Sequence, residues 1–180
     1  ADLLTENVLN FLKTVPKGRF QFEIGVQTTN AATLKAINRR DNWGKLAANV
    51  KKLMSYGNIH LHLDLIAGLP YEGMAEFEKS FNDVYGLQPD MLQLGFLKVL
   101  PGTVMEKQHF EHELQYMDEP PYEILSTKYM PYCALRFLKV LEDVFEHTYN
   151  SGRFVYTLKY LTEAEGNAFA FYKKFALWWQ

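Results

Sequence analysis

The chain has 180 residues, 48% of them hydrophobic and 15% aromatic, and a net charge of -2. That supports one domain with a sizeable core, or one domain plus a small appendage, and excludes a disordered chain. Both charge signs are interspersed without a basic stripe, so nucleic acid is not the expected partner, and no apolar run reaches membrane-spanning length.

These features predict a cytoplasmic protein without a membrane partner. The chain opens on Ala1-Asp2 and not on Met, so it reads as a fragment whose targeting signals are not visible.

Thr5 caps a first predicted helix, "ENVLNFLKTV", with Leu9, Phe11 and Leu12 on one face. Residues 18–27 then alternate, with Phe20, Phe22, Ile24 and Val26 on one side and Gln21, Glu23, Gly25 and Gln27 on the other, which is a strand. Asn30 caps "AATLKAIN", and Asp41 or Asn42 caps a longer helix to about Tyr56, ended by Gly57. Residues 59–66, "IHLHLDLI", are a second strand. The helix "EGMAEFEKSFNDVY" follows, ended by Gly86, and then a third strand, "MLQLGFLKVL" (91–100), stopped by Pro101-Gly102.

Strands separated by helices form parallel βαβ units. Each strand here has one apolar and one polar face. The expected fold class is therefore α/β: half of a parallel (β/α) barrel of three strands, its apolar side chains toward the helices and its polar ones toward a lumen. Glu23, Gln27, His60, His62, Asp64 and Gln93 would line that lumen.

The character changes after Thr103, so residues 1–103 read as the half-barrel and 104–180 as an all-helical C-terminal segment. Residues 104–121 look like a loop. "YEILSTKYM", "PYCALRFLKVLEDVFEHTYN", "RFVYTLKYLTEA" and "NAFAFYKKFALWW" read as helices, with Pro131 in a first turn and Gly152 at a stop. The aromatic density of the last two fits a cap packed on the barrel, or a docking surface for another domain or subunit.

His60, His62 and Asp64 share one strand face, and zinc or non-haem iron could take such a set. Side chains two apart on a strand stand nearly parallel and roughly 6.5–7 Å apart, so a polar lumen wall is the other reading. Gln27 and Asp64 both lie near strand C-terminal ends, the active-site end of parallel barrels. A carboxylate beside an amide suits a polar ligand such as a ribose or an amino acid, or a structural hydrogen bond.

Arg39 or Arg40 could hold a carboxylate, or form a solvated pair. "IAGLP" lacks both phosphate-loop patterns. The single cysteine, Cys133, lies in an apolar helical pattern and reads as a buried thiol. His109, His112 and Glu113 read as part of a solvated segment, and His147 as a helix-end histidine.

"FEIGVQTTNAATLKAINRR" (22–40) and "HLDLIAGLPYEGMAEFEKSFNDVYGLQPDMLQLGFLKVLPGT" (62–103) resemble the C-terminal half of a radical S-adenosylmethionine (SAM) barrel of the coproporphyrinogen dehydrogenase-like branch. The ordered set carries the resemblance: Gly-Val-Gln, Leu-x-x-x-Asn-Arg, Asp-Leu-Ile-x-Gly-Leu-Pro and Pro-Gly-Thr. The tail segments "PPYEILSTKYM" and "YNSGRFVYTLKYL" resemble a C-terminal domain of undefined role found on radical SAM proteins that carry a cobalamin-binding domain.

The resemblance implies that Gln27 and Asp64 contact SAM and that Arg39, with Arg40 as the alternative, binds its carboxylate. It implies that Ile66 packs on the adenine and that backbone near Lys98 reaches the adenine edge. Glu23, His60, His62 and Gln93 are then candidates for the substrate side.

The family's 4Fe-4S cluster needs C-x-x-x-C-x-x-C, and only Cys133 is present. The resemblance therefore implies a catalytically incomplete piece. Its parent would cleave SAM reductively to a deoxyadenosyl radical that abstracts hydrogen from substrate; with cobalamin present, methyl transfer or another cobalamin-linked rearrangement becomes possible. The implied partner is the N-terminal half of the same protein. Two rival readings are a non-catalytic interaction module, dimerising through the open first strand, and a metal-dependent barrel enzyme using His60, His62 and Asp64.

Overall fold

A computed structural model describes residues 2–40 and 42–179. The order is α1 (Glu6–Thr14), β1 (Gln21–Gln27), α2 (Ala31–Ala36), α3 (Trp43–Tyr56), β2 (His60–Ala67), α4 (Met74–Tyr85), β3 (Met91–Phe96) and α5 (Val104–Lys107). A two-stranded hairpin, β4 (Gln115–Tyr116) and β5 (Ile124–Ser126), precedes α6 (Tyr132–Phe145), α7 (Val155–Glu165) and α8 (Ala168–Trp179).

β1, β2 and β3 form a parallel sheet in that order. Alternation decides which face is buried. Leu61, Leu63 and Leu65 of the central strand are 0% exposed and join Leu46, Val50 and Leu53 of α3 and Phe77, Phe81 and Val84 of α4 in one core. Each such leucine contributes about 1.5–3 kcal/mol over its exposed state. The opposite face carries the polar positions.

Local signals set the helix ends. The side chains of Thr5, Asn30 and Asn42 accept backbone N–H groups at the starts of α1, α2 and α3. Gly57 ends α3 at φ +66°, a conformation that glycine adopts without steric cost. Asp41, the alternative cap, lies outside the described residues.

Three parallel strands and their helices are present, without a closed barrel among the described residues. β1 begins at Gln21, not at residue 18, because Phe20 is exposed instead of joining the core, and β3 ends at Phe96.

The tail is not all-helical. Residues 104–121 contain α5, capped by Thr103, and β4. Residues 122–130 form β5 and a turn rather than a helix, because backbone beyond β3 captures them. Val99 N donates to Tyr122 O at 2.8 Å and Ile124 N donates to Leu97 O at 2.9 Å, while Ile124 is buried. Thr127 Oγ1 then accepts the N–H groups of Tyr129 and Met130.

Two further expectations are corrected. Cys133 is exposed, because Leu135, Leu138 and Leu141 carry the buried face of α6. His112 is buried, 2% exposed, because Tyr71 and Tyr129 pack around it from other loops.

The tail docks through an aromatic cluster. Phe81 of α4 meets Phe145 of α6 and Phe169 and Tyr172 of α8 at 5.4–5.9 Å. Asn82 and Glu78 accept hydrogen bonds from Phe169 N and Asn167 Nδ2 at the start of α8. Other aromatics remain outside: Tyr156, Tyr160 and Trp178 are 90%, 72% and 77% exposed. No helix of the described residues is long and apolar enough to cross a membrane.

Candidate functional site

The polar face of the sheet is organised in rows. Register places Glu23 of β1 beside His62 of β2. One row further on, Gly25, Asp64 and Gln93 stand side by side across all three strands. Ile66 pairs with Gly95 beyond them.

The pairing slips between Gly25 and Gln27, and Gln27 takes φ +68° at the end of β1. Such a backbone is uncommon for a residue with a side chain and must be held by its surroundings. Here the holder is the next residue. Thr28, buried, donates to Glu72 Oε1 and lies 3.1 Å from Ser80 Oγ. Thr29 N donates to Ser80 Oγ at 3.0 Å, and Thr29 Oγ1 to Asp83 Oδ2 at 2.6 Å. Three residues of α4 and its approach thereby fix the end of β1.

The twist at Gln27 folds its amide back over Gly25. A Cβ at residue 25 would fall on Gln27 Nε2 and stand 3.6 Å from Arg39 Nη1. Arg39 Nη2 donates to Gly25 O at 2.8 Å. Gln27, Arg39 and Asp64 therefore gather around one glycine.

Asp64 is half-buried and its carboxyl titrates above the usual range. Burial is the main cause; the Glu23 charge adds to it and His62 opposes it. His62 Nε2 lies 3.4 Å from Asp64 Oδ1. Both atoms are shielded, and neither makes a hydrogen bond of good geometry.

The other expected residues fall in different places. Ile66 is half-buried beside Gly95, with its Cγ1 3.8 Å from the position a Gly95 Cβ would take. Lys98 is exposed and bridges Glu123; flanking residues make that bridge's hydrogen bonds, so its own N–H and C=O turn away from residues 122–124. His60 stands at the opposite end of β2, about 13 Å from Asp64 by strand rise, with Nδ1 3.9 Å from Asp90. Arg40 is exposed. No group of three His, Cys, Asp or Glu side chains among the described residues is arranged to hold a metal ion.

Glu72 is the residue that sequence reasoning missed. It is 0% exposed, and burial raises its carboxyl to about 7 against the hydrogen bonds from Thr28 and Ser80. In "LPYEG" it looks like a loop acid, and no local signal marks it. Gly25 did carry a signal, since glycine inside a strand marks close approach of another group.

Residues 110–180 match the family described as Protein of unknown function (DUF4080). The uncharacterized protein YtqA of Bacillus subtilis is 27% identical over 122 residues, covering 67% of this chain and 38% of that protein. The oxygen-independent coproporphyrinogen-III oxidase-like protein HemZ of the same organism is 25% identical over 150 residues, covering 79% of this chain and 30% of that protein. The chain thus spans about a third of the length of these curated relatives. The structure of coproporphyrinogen III oxidase (HemN) from Escherichia coli, described as a radical SAM enzyme, matches with a TM-score of 0.56 at 21% identity, over 81% of this chain and 30% of that one. The three-stranded parallel sheet and its helices are part of a HemN-like fold, and in sequence the chain is similar to YtqA and to the HemZ coproporphyrinogen-III oxidase-like protein.

Proposed function

We propose that this chain forms the SAM-binding wall of a radical SAM enzyme, with the remaining strands and the 4Fe-4S ligands supplied by the rest of the same protein. The observation that carries this reading is the convergence of Gln27, Arg39 and Asp64 on Gly25 at the C-terminal end of the sheet. The donor set suits SAM: a guanidinium for its carboxylate, a carboxylate and an amide for its hydroxyl and ammonium groups, and the Ile66 side chain for its adenine. SAM supplies the adenosyl chemistry when bound; the chain's residues bind and orient it. Gln93, Glu23 and His62 extend the polar face as substrate-side lining, and His60 lies at its far end.

The chain does not fit a 4Fe-4S cluster. Its one cysteine is exposed on α6, so no step is assigned to this chain through iron and sulfur. Cobalamin enters only as a second cofactor of the proposed parent, through the tail's resemblance, and no side chain here is assigned to it.

The open outer edge of β1 supports completion by another strand. Among the described residues β1 pairs only with β2. A second copy of the chain could occupy the same edge, and light scattering on the isolated chain would reveal it as a stable dimer.

The test uses the full-length protein, reconstituted anaerobically with iron and sulfide and given SAM and dithionite. Wild type is expected to yield deoxyadenosine, and Asp64→Ala little or none, while His62→Ala retains SAM cleavage without substrate. No deoxyadenosine from a cluster-loaded wild type would sink the reading in favour of an interaction module. Lost SAM binding in His62→Ala would move that residue out of the substrate side.

A further inference from the structure

All three connections that follow the β strands meet in a groove of about 390 Å³. Ala32, Lys35 and Ala36 of α2 line it. Gln108, Glu111 and His112 from the segment after α5 line it as well, with Tyr71 from the β2–α4 loop. In parallel α/β folds, loops at the strand C-terminal ends carry binding sites.

The charged chemistry of the lining is complementary and unused among the described residues. Lys35 and Glu111 carry opposite charges in the same lining, and neither makes an ion pair among the described residues. Gln108 Oε1 is shielded from solvent and has no hydrogen-bond partner among the described residues.

His112 is 2% exposed and lies 3.2 Å from the Tyr129 hydroxyl through Nδ1, leaving Nε2 without a protein partner among the described residues. Tyr71, Tyr129 and His112 pack edge-on and tilted as an aromatic triad with centroids 5.0–6.0 Å apart. Tyr71 is held at φ +59° while its carbonyl accepts from Asn30 Nδ2, and 44% of it remains exposed. A strained backbone that presents an exposed aromatic face is a feature of binding sites.

We propose that this groove binds a small zwitterion with a flat side chain, an aromatic α-amino acid. The ammonium sits at Glu111, the carboxylate at Lys35, and the ring lies along Tyr71. The two small alanines of α2 leave room for the ligand's backbone. This site does not depend on the SAM reading.

Isothermal titration of the full-length protein with L-tryptophan tests it, with N-acetyl-L-tryptophan and L-tryptophan amide as analogues lacking one charge. Saturable binding is expected, weakened about tenfold by blocking either end, the scale of one charge-assisted contact. Glu111→Gln should abolish discrimination against the N-acetyl analogue alone, and Lys35→Met discrimination against the amide alone. That crossed pattern is one that a merely structural role would not produce. Absence of saturable binding, or binding that neither variant alters, overturns the proposal. Neither result bears on deoxyadenosine formation, so the two readings fail separately.

Discussion

Asn150 Oδ1 accepts from Leu92 N at 3.1 Å, and Asn150 Nδ2 donates to Leu92 O at 3.1 Å. One side-chain amide thus satisfies both polar groups of a β3 residue, as a neighbouring strand would. Asn150 closes a π-helical turn, residues 146–150, that continues α6, and Glu146 Oε2 steadies its amide at 2.6 Å. The tail ends the sheet at β3 and leaves β1 as its open side.

Asn150→Ala should therefore cost about 2 kcal/mol, the range for stranding buried backbone groups. Asn150→Asp should cost as much, because a carboxylate can accept from Leu92 N but repels Leu92 O. Urea unfolding with an unchanged m-value checks both. A neutral Asn150→Ala would mean that water serves this edge equally well.

Glu72 gives a pH dependence with a defined sign. Its carboxyl titrates at about 7 in the folded chain against a reference of 4.5. Between those values the folded state keeps a proton that the unfolded state releases. Stability from this group is full below about pH 4.5, falls as pH rises toward 7, and is flat above, with a total loss of about 3 kcal/mol. Glu72→Gln fixes the neutral form while retaining an acceptor for Thr28. The variant should match wild type near pH 5 and exceed it in stability at pH 8. Equal stability at both pH values would mean that Glu72 ionises in the fold without penalty.

Much of this arrangement was legible in the sequence. Period-two alternation located three parallel strands and their buried faces, and the caps Thr5, Asn30 and Asn42 set helix starts through local hydrogen bonds. Non-local effects were not legible. The β4–β5 hairpin has strands of two and three residues, and its place depends on backbone at Leu97 and Val99. His112 is buried by rings from residues 71 and 129, and Glu72 by Thr28 and Ser80. Gln27 and Asp64 could be placed at strand ends from sequence, but the fold-back over Gly25 follows from a left-handed backbone that no pattern announced.

Gly25 allows the site to be perturbed without harming the fold. A methyl group there meets the far end of the flexible Gln27 side chain, which can move aside. Gly25→Ala should change stability by less than about 1 kcal/mol, since alanine also removes glycine's entropy in the strand. It should weaken SAM binding about tenfold by displacing the Gln27 amide. Equilibrium dialysis with labelled SAM, beside a thermal melt, separates the two effects. Unchanged affinity would remove Gln27 from the SAM contacts.

Tyr172 separates packing from hydrogen bonding in the tail. Its ring is 0% exposed and lies 4.7 Å from Phe145 and 5.9 Å from Phe81, joining α8 to α6 and α4. Its hydroxyl is buried and makes no hydrogen bond of good geometry, while the nearby Thr148 hydroxyl donates to Val144 O at 2.6 Å. Burial also pushes the phenol far above its ordinary titration range. Removing only the hydroxyl takes away an unpaired polar group, so Tyr172→Phe should be neutral or stabilise by up to about 1 kcal/mol. Tyr172→Ala empties the centre of the cluster and should cost about 3–5 kcal/mol. Denaturant midpoints of the two variants give the comparison directly. A Tyr172→Phe that loses more than about 1 kcal/mol would show that the hydroxyl has a partner, such as an ordered water, holding α8 in place.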